Sequence, residues 1–263
     1  MLAHVHIMKT AGQTICDILR RSFGANHCDL RCGKFATLND LKFAKRFYPR
    51  LASISGHAIH AWTELADWPG IRFFTFVREP ISRCLSHYQF DCVRNGTTED
   101  FIPWLEIRSN YQTRFLSGTE QADAAIASIQ EHIGFVGLLE DFDRSLRLFQ
   151  TWAGQPLALN YRSRNVSKQC TIKEQILANP EYVAAMHELH QEDQRLYTHL
   201  KQNVYPQMVA KFDVEQRDSI ELAASGASGL AIASKPVLAW SAVKRNCLYK
   251  PAASIRESLQ DAA

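Results

Sequence analysis

The stretch HVHIMKTAGQTIC (4–16) sets Lys9 and a small turn containing Gly12 between a short apolar run and the start of a helix. A strand that feeds a helix leaves the first helical amides unpaired, and with the helix dipole they form an anion site. Lys9 would add a point charge to it, Thr10 and Thr14 hydroxyl donors, and the small residues would let the backbone close on a phosphate. The loop is not a Walker loop, where the lysine stands last before Ser/Thr; here Lys9 precedes Gly12. Taken alone, it reads equally well as a connecting turn with a surface lysine. A second stretch, FFTFVREPISRCLSHY (73–88), ends a buried strand in Arg78, opens a helix with Pro80 and brings Ser86 two turns later. An arginine at the carboxyl end of a strand sits where α/β sheets bind ligands, and its planar fork suits a phosphate.

These residues need a scaffold. Ala3–Ile7 reads as a short strand and Gln13–Phe23 as a helix, with Ile15, Ile18, Leu19 and Phe23 near helical spacing. Leu38–Phe47 predicts a second helix and Leu51–Ile54 a second strand. IRFFTFV (71–77) is an almost unbroken apolar run between Pro69–Gly70 and Arg78–Glu79–Pro80, the pattern of a central strand covered on both faces of a parallel sheet. A helix follows from Pro80 to about Val93. Further helices are predicted near 121–132, 142–152 and 181–200, and another buried strand at IGFVGLL (133–139). Alternating strands and helices imply an α/β three-layer sandwich around a central, mostly parallel sheet. After Asp213 the chain turns rich in Ala, Ser and Gly, so the reading is a main domain over 1–213 and a linker with a peripheral tail over 214–263. No internal repeat is present.

A net charge of +3 is too mild to argue for nucleic acid. It suits an anionic donor or an acidic acceptor. The basic clusters KFAKRFYPR (42–50) and RSRNVSK (162–168) read as solvated faces. The seven cysteines include no CxxC pair, which argues against structural zinc and for reduced thiols. No run approaches transmembrane length, and the first strand begins too near Met1 for a leader, so a cytoplasmic protein without an integral membrane segment is expected.

Together the two anion-binding stretches resemble the sulfotransferase superfamily, in particular its carbohydrate branch with the uronyl 2-O-sulfotransferases and their soluble bacterial relatives. That family opens with a His-Ile-Pro-Lys-Thr-Gly-Gly-Thr-Ser type of loop, standing here as His6, Ile7, Met8, Lys9, Thr10, Ala11, Gly12, Gln13 and Thr14. Its second element, Arg-Asp/Glu-Pro-x-x-Arg-x-x-Ser-x-Tyr, is matched by Arg78, Glu79, Pro80, Arg83, Ser86 and Tyr88. NYQTRFLSG (110–118), FVGLLEDFDRSLRLF (135–149) and NVSK (165–168) look similar too, so the likeness covers roughly 4–168. Met8, Ala11 and Gln13 depart from the pattern; Ala11 is tolerated if its backbone stays out of the left-handed region, and Gln13 still donates through its amide.

The resemblance implies a P-loop-NTPase-like sulfotransferase fold and 3′-phosphoadenosine 5′-phosphosulfate (PAPS) as donor, with no metal required. Residues Lys9, Thr10, Ala11, Gly12, Gln13 and Thr14 would hold the 5′-phosphosulfate, Arg78 and Ser86 the 3′-phosphate, and Lys168 would close over the donor. Lys9 would stabilise the departing phosphate. The Gly56–His57 pair in SISGHAIHAW (53–62) resembles the element that carries the proposed base, and histidine suits that role because its pKa lies near neutrality. His60 is a candidate helper, alternative base or acceptor contact, and Arg114 could touch the acceptor or the donor, reading equally as half of an internal salt bridge. The implied acceptor is a hydroxyl, above all of a carbohydrate. A small-molecule or nucleotide kinase would also explain a phosphate loop, but the Walker arrangement and a magnesium carboxylate are missing. A non-catalytic nucleotide- or glycan-binding module of the same fold is the third reading. His4 and His6 share a strand face, which a metal could use; buried, hydrogen-bonded histidines explain them better. HELH (187–190) is expected to face solvent, and Glu140 and Asp141 to pair with basic neighbours.

Overall fold

The structure, a computed structural model, describes residues 1–161, 171–213 and 233–261. β1 (Leu2–Val5) is buried at every position, so both of its faces are covered. β4 (Arg72–Val77) exposes only Arg72. Such two-sided burial is what near-continuous apolar runs demand, and it puts both strands inside a parallel sheet. β2 (His27–Asp29) and β3 (Ser53–Gly56) extend the sheet on one side and β5 (Ile133–Leu138) on the other. The order is β2–β3–β1–β4–β5, and every neighbouring pair is parallel. Helices flank the sheet in the expected sandwich, which is parallel in all its described strands rather than mostly so.

The helices include α1 (Gly12–Phe23), α2 (Leu38–Phe47), α3 (Pro80–Phe90), α4 (Phe101–Ile107), α5 (Tyr111–Ser117), α6 (Ala122–His132), α7 (Phe142–Ala153), α8 (Thr171–Leu177), α9 (Pro180–Leu189), α10 (Gln191–His199), α11 (Lys235–Val243) and α12 (Lys250–Asp261). The helix expected over 181–200 is two, α9 and α10, meeting at His190. α3 stops at Phe90 and passes into a π-helical turn, Asp91–Asn95. β2, α4, α5 and α8 were not foreseen. Within the stretch read as linker and tail, Tyr249 is fully buried, Lys244 donates to the Ala25 carbonyl at 2.9 Å, and Arg256 pairs with Asp40 at 2.7 Å.

Register decides what meets at the end of the sheet. Val5 lies opposite Gly56 of β3 and Thr75 of β4. The chain therefore leaves three adjacent strands at one edge, through residues 6–11 after β1, His57 after β3 and Arg78 after β4. From β1 it winds first toward β2 and β3, then toward β4 and β5. The carboxyl ends of strands at such a reversal are where open α/β sheets hold ligands.

Candidate active site

The loop after β1 is shaped for an anion. Lys9 and Ala11 both adopt positive φ, 70° and 62°, and Gly12 opens α1 with no side chain capping its amides. Left-handed residues leading into an uncapped helix start turn successive N–H groups toward one point, a concavity that suits phosphate oxygens. Ala11 thus occupies the left-handed region, so the condition for its easy tolerance is not met and it costs about 1–2 kcal/mol. Gly12 is required for a reason the sequence does not show: a Cβ there would lie 1.7 Å from Nε2 of His6. Thr10 is fully buried and its hydroxyl donates inward to the Ile7 carbonyl at 2.9 Å, so it offers the loop only its amide, not the expected hydroxyl. Thr14, nearly buried, borders a cleft of about 520 Å³ that runs along α1 past Asp17 and Arg21 to Asn160, Tyr161 and α11. A second cleft, about 660 Å³ along α10, touches none of the predicted site residues.

Arg78 meets this loop directly. Its Nη1 lies 3.5 Å from the Lys9 carbonyl. Glu79 takes the capping role at α3, its carboxylate accepting from the amides of Ile81 and Ser82 at 3.0 and 2.7 Å. Lys9 Nζ rests 4.3 Å from the ring centre of Phe90. Ser86 sits one turn before Phe90 and hence on the same face of α3. Burial, then the charges of Arg78 and Lys173, lower the Lys9 pKa from its ordinary value. Lys173, on α8, is thus a third cation near the loop that sequence reading missed. Arg83 is fully buried, stacked 4.6 Å over Tyr111 with Nη1 3.3 Å from His87 Nδ1.

Arg78 is held by a residue whose role no motif announced. The side-chain amide of Gln112, at the start of α5, accepts from the Arg78 N–H at 3.0 Å and donates to its carbonyl at 2.8 Å. α5 is itself fixed from a distance: the fully buried Asp193 carboxylate accepts from the amides of Gln112 and Thr113 at 3.1 and 2.7 Å. In return the Asn110 side chain accepts from the amides of Glu192 and Asp193 at 3.1 and 3.2 Å. Two helix starts thereby satisfy each other's orphan donors.

His57 follows β3 beside the loop. Its Nδ1 donates to the His6 carbonyl at 2.9 Å, the tautomer that leaves Nε2 as an acceptor. The residue as a whole is exposed. The protein crowded around the ring lowers its pKa below the ordinary value, the His6 hydrogen bond opposing that shift. The ring stacks on His6 at 4.0 Å, and His6 on His4 at 5.1 Å. Burial drives the His6 pKa down to about 3, so this stack is neutral at ordinary pH. His4, His6 and Cys16 bring possible metal-ligand atoms within 4.8 Å of one another. The His4 and His6 rings lie 12° from parallel, so their in-plane lone pairs run side by side and do not converge as a tetrahedral site needs. His4 is buried as expected, but neither of its ring nitrogens has a hydrogen-bond partner.

The remaining candidates separate. His60 is buried, its Nδ1 donating to the Phe115 carbonyl at 2.9 Å. Arg114 pairs with Glu120 at 3.5 Å and donates to the Ile107 carbonyl at 2.7 Å. Lys168 lies outside the described residues. His187 is exposed, but His190 is 1% exposed, because the chain turns inward between α9 and α10. Among the described residues, Glu140 accepts from the Glu79 amide and the Tyr197 hydroxyl, and Asp141 from the Tyr205 hydroxyl, with no ion pair to a basic side chain. Among the described residues no helix is long and apolar enough to cross a membrane.

Two solved structures resemble the chain at low identity. A sulfotransferase from Alicyclobacillus acidocaldarius aligns with a TM-score of 0.41 and 13% identity, over 71% of this chain and 94% of its own. The mouse sulfotransferase SULT7A1 complexed with PAP aligns at 0.39 and 15%, over 66% of this chain and 62% of its own. No curated protein matches. Residues 1–225 match the sequence model of the sulfotransferase family, and the chain belongs to that family.

Proposed function

We propose that this protein transfers a sulfuryl group from PAPS to a hydroxyl of a carbohydrate acceptor. One observation carries the reading: the Arg78 guanidinium, the Lys9 backbone and the uncapped start of α1 meet at the carboxyl ends of β1 and β4. Cations and helix-start amides gathered at one point call for a ligand with more than one anionic group. PAPS supplies two, and when bound it supplies the activated sulfuryl group. The amides of residues 9–14 fit the 5′ end, Thr10 contributing by its amide alone. Arg78 and Ser86 fit the 3′-phosphate, and the cleft that begins at Thr14 offers room for the nucleoside. Lys9 and the α1 amides stabilise negative charge as it gathers on the departing phosphate, so they act more on the transition state than on binding. His57 receives the acceptor proton at Nε2, which its bond to His6 keeps free. His60 and Arg114 act on the acceptor side, and residues 1–213 form the transferase domain.

The test is ligand-induced stabilisation followed by turnover. A ligand that binds only the native form raises the melting temperature. PAP (3′-phosphoadenosine 5′-phosphate) should do so more than AMP, which lacks the 3′-phosphate. Lys9→Ala should lower PAPS turnover by about 10²–10³-fold, the scale of losing one charge-stabilising donor, and leave PAP binding nearly intact. Equal stabilisation by PAP and AMP, or turnover of ATP in place of PAPS, would overturn the reading.

A further inference from the structure

The loop between β2 and α2 carries GKFAT (33–37) past the candidate base. Ala36, 1% exposed, donates its amide to the Ala58 carbonyl at 2.8 Å and pins the loop one residue beyond His57. Phe35 then cannot also turn inward, and 39% of its surface stays in water. Its ring stands edge-on to His60 and to Trp62, 5.2 Å from each, and those two rings are 5.2 Å apart. The wall is fixed from behind. His60 Nδ1 and Trp62 Nε1 both donate to the Phe115 carbonyl, at 2.9 and 3.2 Å, and the Phe115 ring packs 4.3 Å from His60. Gly118, at φ 77°, lies so close to Trp62 that a Cβ would stand 3.2 Å from the indole.

A rigid aromatic wall with His60 Nδ1 and Trp62 Nε1 already bonded turns mainly faces to a ligand. Such surfaces take rings at low entropic cost, because the receiving side chains have little freedom left to lose. Resting on the sulfotransfer reading, we propose that Phe35 and Trp62 form the acceptor platform, so that the acceptor is a sugar ring laid with its C–H face on Phe35 and a hydroxyl turned to His57. Lys34, whose Nζ lies over one face of the Phe35 ring at 5.1 Å from its centre, leaves the opposite face for the sugar and places a cation at the platform for a ring carboxylate.

Phe35→Ala tests this, since an exposed ring can be removed without opening the core. With methyl β-glucuronide as probe, saturation-transfer NMR on the whole chain should show the sugar ring protons saturated in the wild type and not in Phe35→Ala, with Phe35→Tyr restoring the signal. In transfer assays on uronate oligosaccharide, the acceptor KM should rise about three- to tenfold in Phe35→Ala, the worth of one aromatic stacking contact. The KM for PAPS should stay unchanged. No ring saturation in the wild type, equal saturation in wild type and Phe35→Ala, or saturation of 4-nitrophenol but not of the glucuronide would each overturn the platform. The PAP-over-AMP stabilisation read on the same samples keeps the two ideas apart: if it is present, a neutral Phe35→Ala sinks the platform alone.

Discussion

Gln112→Leu is the sharpest probe of how Arg78 is held. Leucine nearly conserves volume at a position that is 1% exposed, and it leaves the bond from the residue 112 amide to Asp193 in place. What disappears is the pair of hydrogen bonds to the Arg78 N–H and carbonyl, at 3.0 and 2.8 Å. Each orphaned group costs about 1–3 kcal/mol when water is excluded. Arg78 is only half-buried, so the lower end applies and the total is about 2 kcal/mol. For a chain of this size that is a fall of about 4–8 °C in melting temperature.

Stability alone does not make Gln112 a positioning residue. If the clamp aims the guanidinium at the 3′-phosphate, the variant forfeits part of a charge-assisted interaction worth about 1.5–3 kcal/mol, roughly a ten- to hundredfold range in affinity. Calorimetric titration should therefore show PAP binding about tenfold weaker and AMP binding within twofold of wild type. A lowered melting point with unchanged PAP affinity would reduce Gln112 to a structural role. Equal weakening of PAP and AMP would mean that Arg78 does not meet the group that distinguishes them.

Three further outcomes follow from the same geometry. His57 works as a base only when neutral, and its folded pKa is depressed; kcat/KM should therefore rise with pH only below about 6.5 and be flat above it. His57→Ala should remove that acid limb and cut turnover by about 10²–10⁴-fold, whereas undiminished transfer would end the assignment. Gly12→Ala drives a methyl group into the buried His6 ring and should cost about 1–3 kcal/mol or more in chemical denaturation; an unchanged midpoint would show that the ring moves aside freely.

The parts legible in the sequence were those whose signals are local. The apolar run 71–77 ends in a charged residue and a proline, and α3 starts at that proline. α2 matches its predicted limits, Leu38–Phe47, because a capping box of Thr37 and Asp40 starts it. β2 escaped notice because three residues, His-Cys-Asp, show no period and pair with β3 alone. α5 is seven residues long, and the carboxylate that caps it lies 80 positions away in sequence. Gln112 for the same reason reads as one polar residue among many until the fold lays it against Arg78, 34 positions upstream. His190 looked solvated because a single helix was drawn through the point where two meet.

His6 joins the two ends of the candidate site, and that coupling has a mechanical consequence. Its carbonyl orients His57, its ring carries the His57 ring at 4.0 Å, and its Nε2 edge fills the space that a side chain at Gly12 would need. The pairing of Val5 with Gly56 makes this unavoidable, since the next residue of each strand must be the neighbour of the other. The candidate base and the start of the anion loop therefore rest on one residue rather than on separate supports. A disturbance at Gly12 passes to His57 through a single packed ring, whereas a disturbance at the Gln112 side chain falls first on Arg78. The two classes of variant should accordingly separate: the first losing turnover and the second discrimination between PAP and AMP.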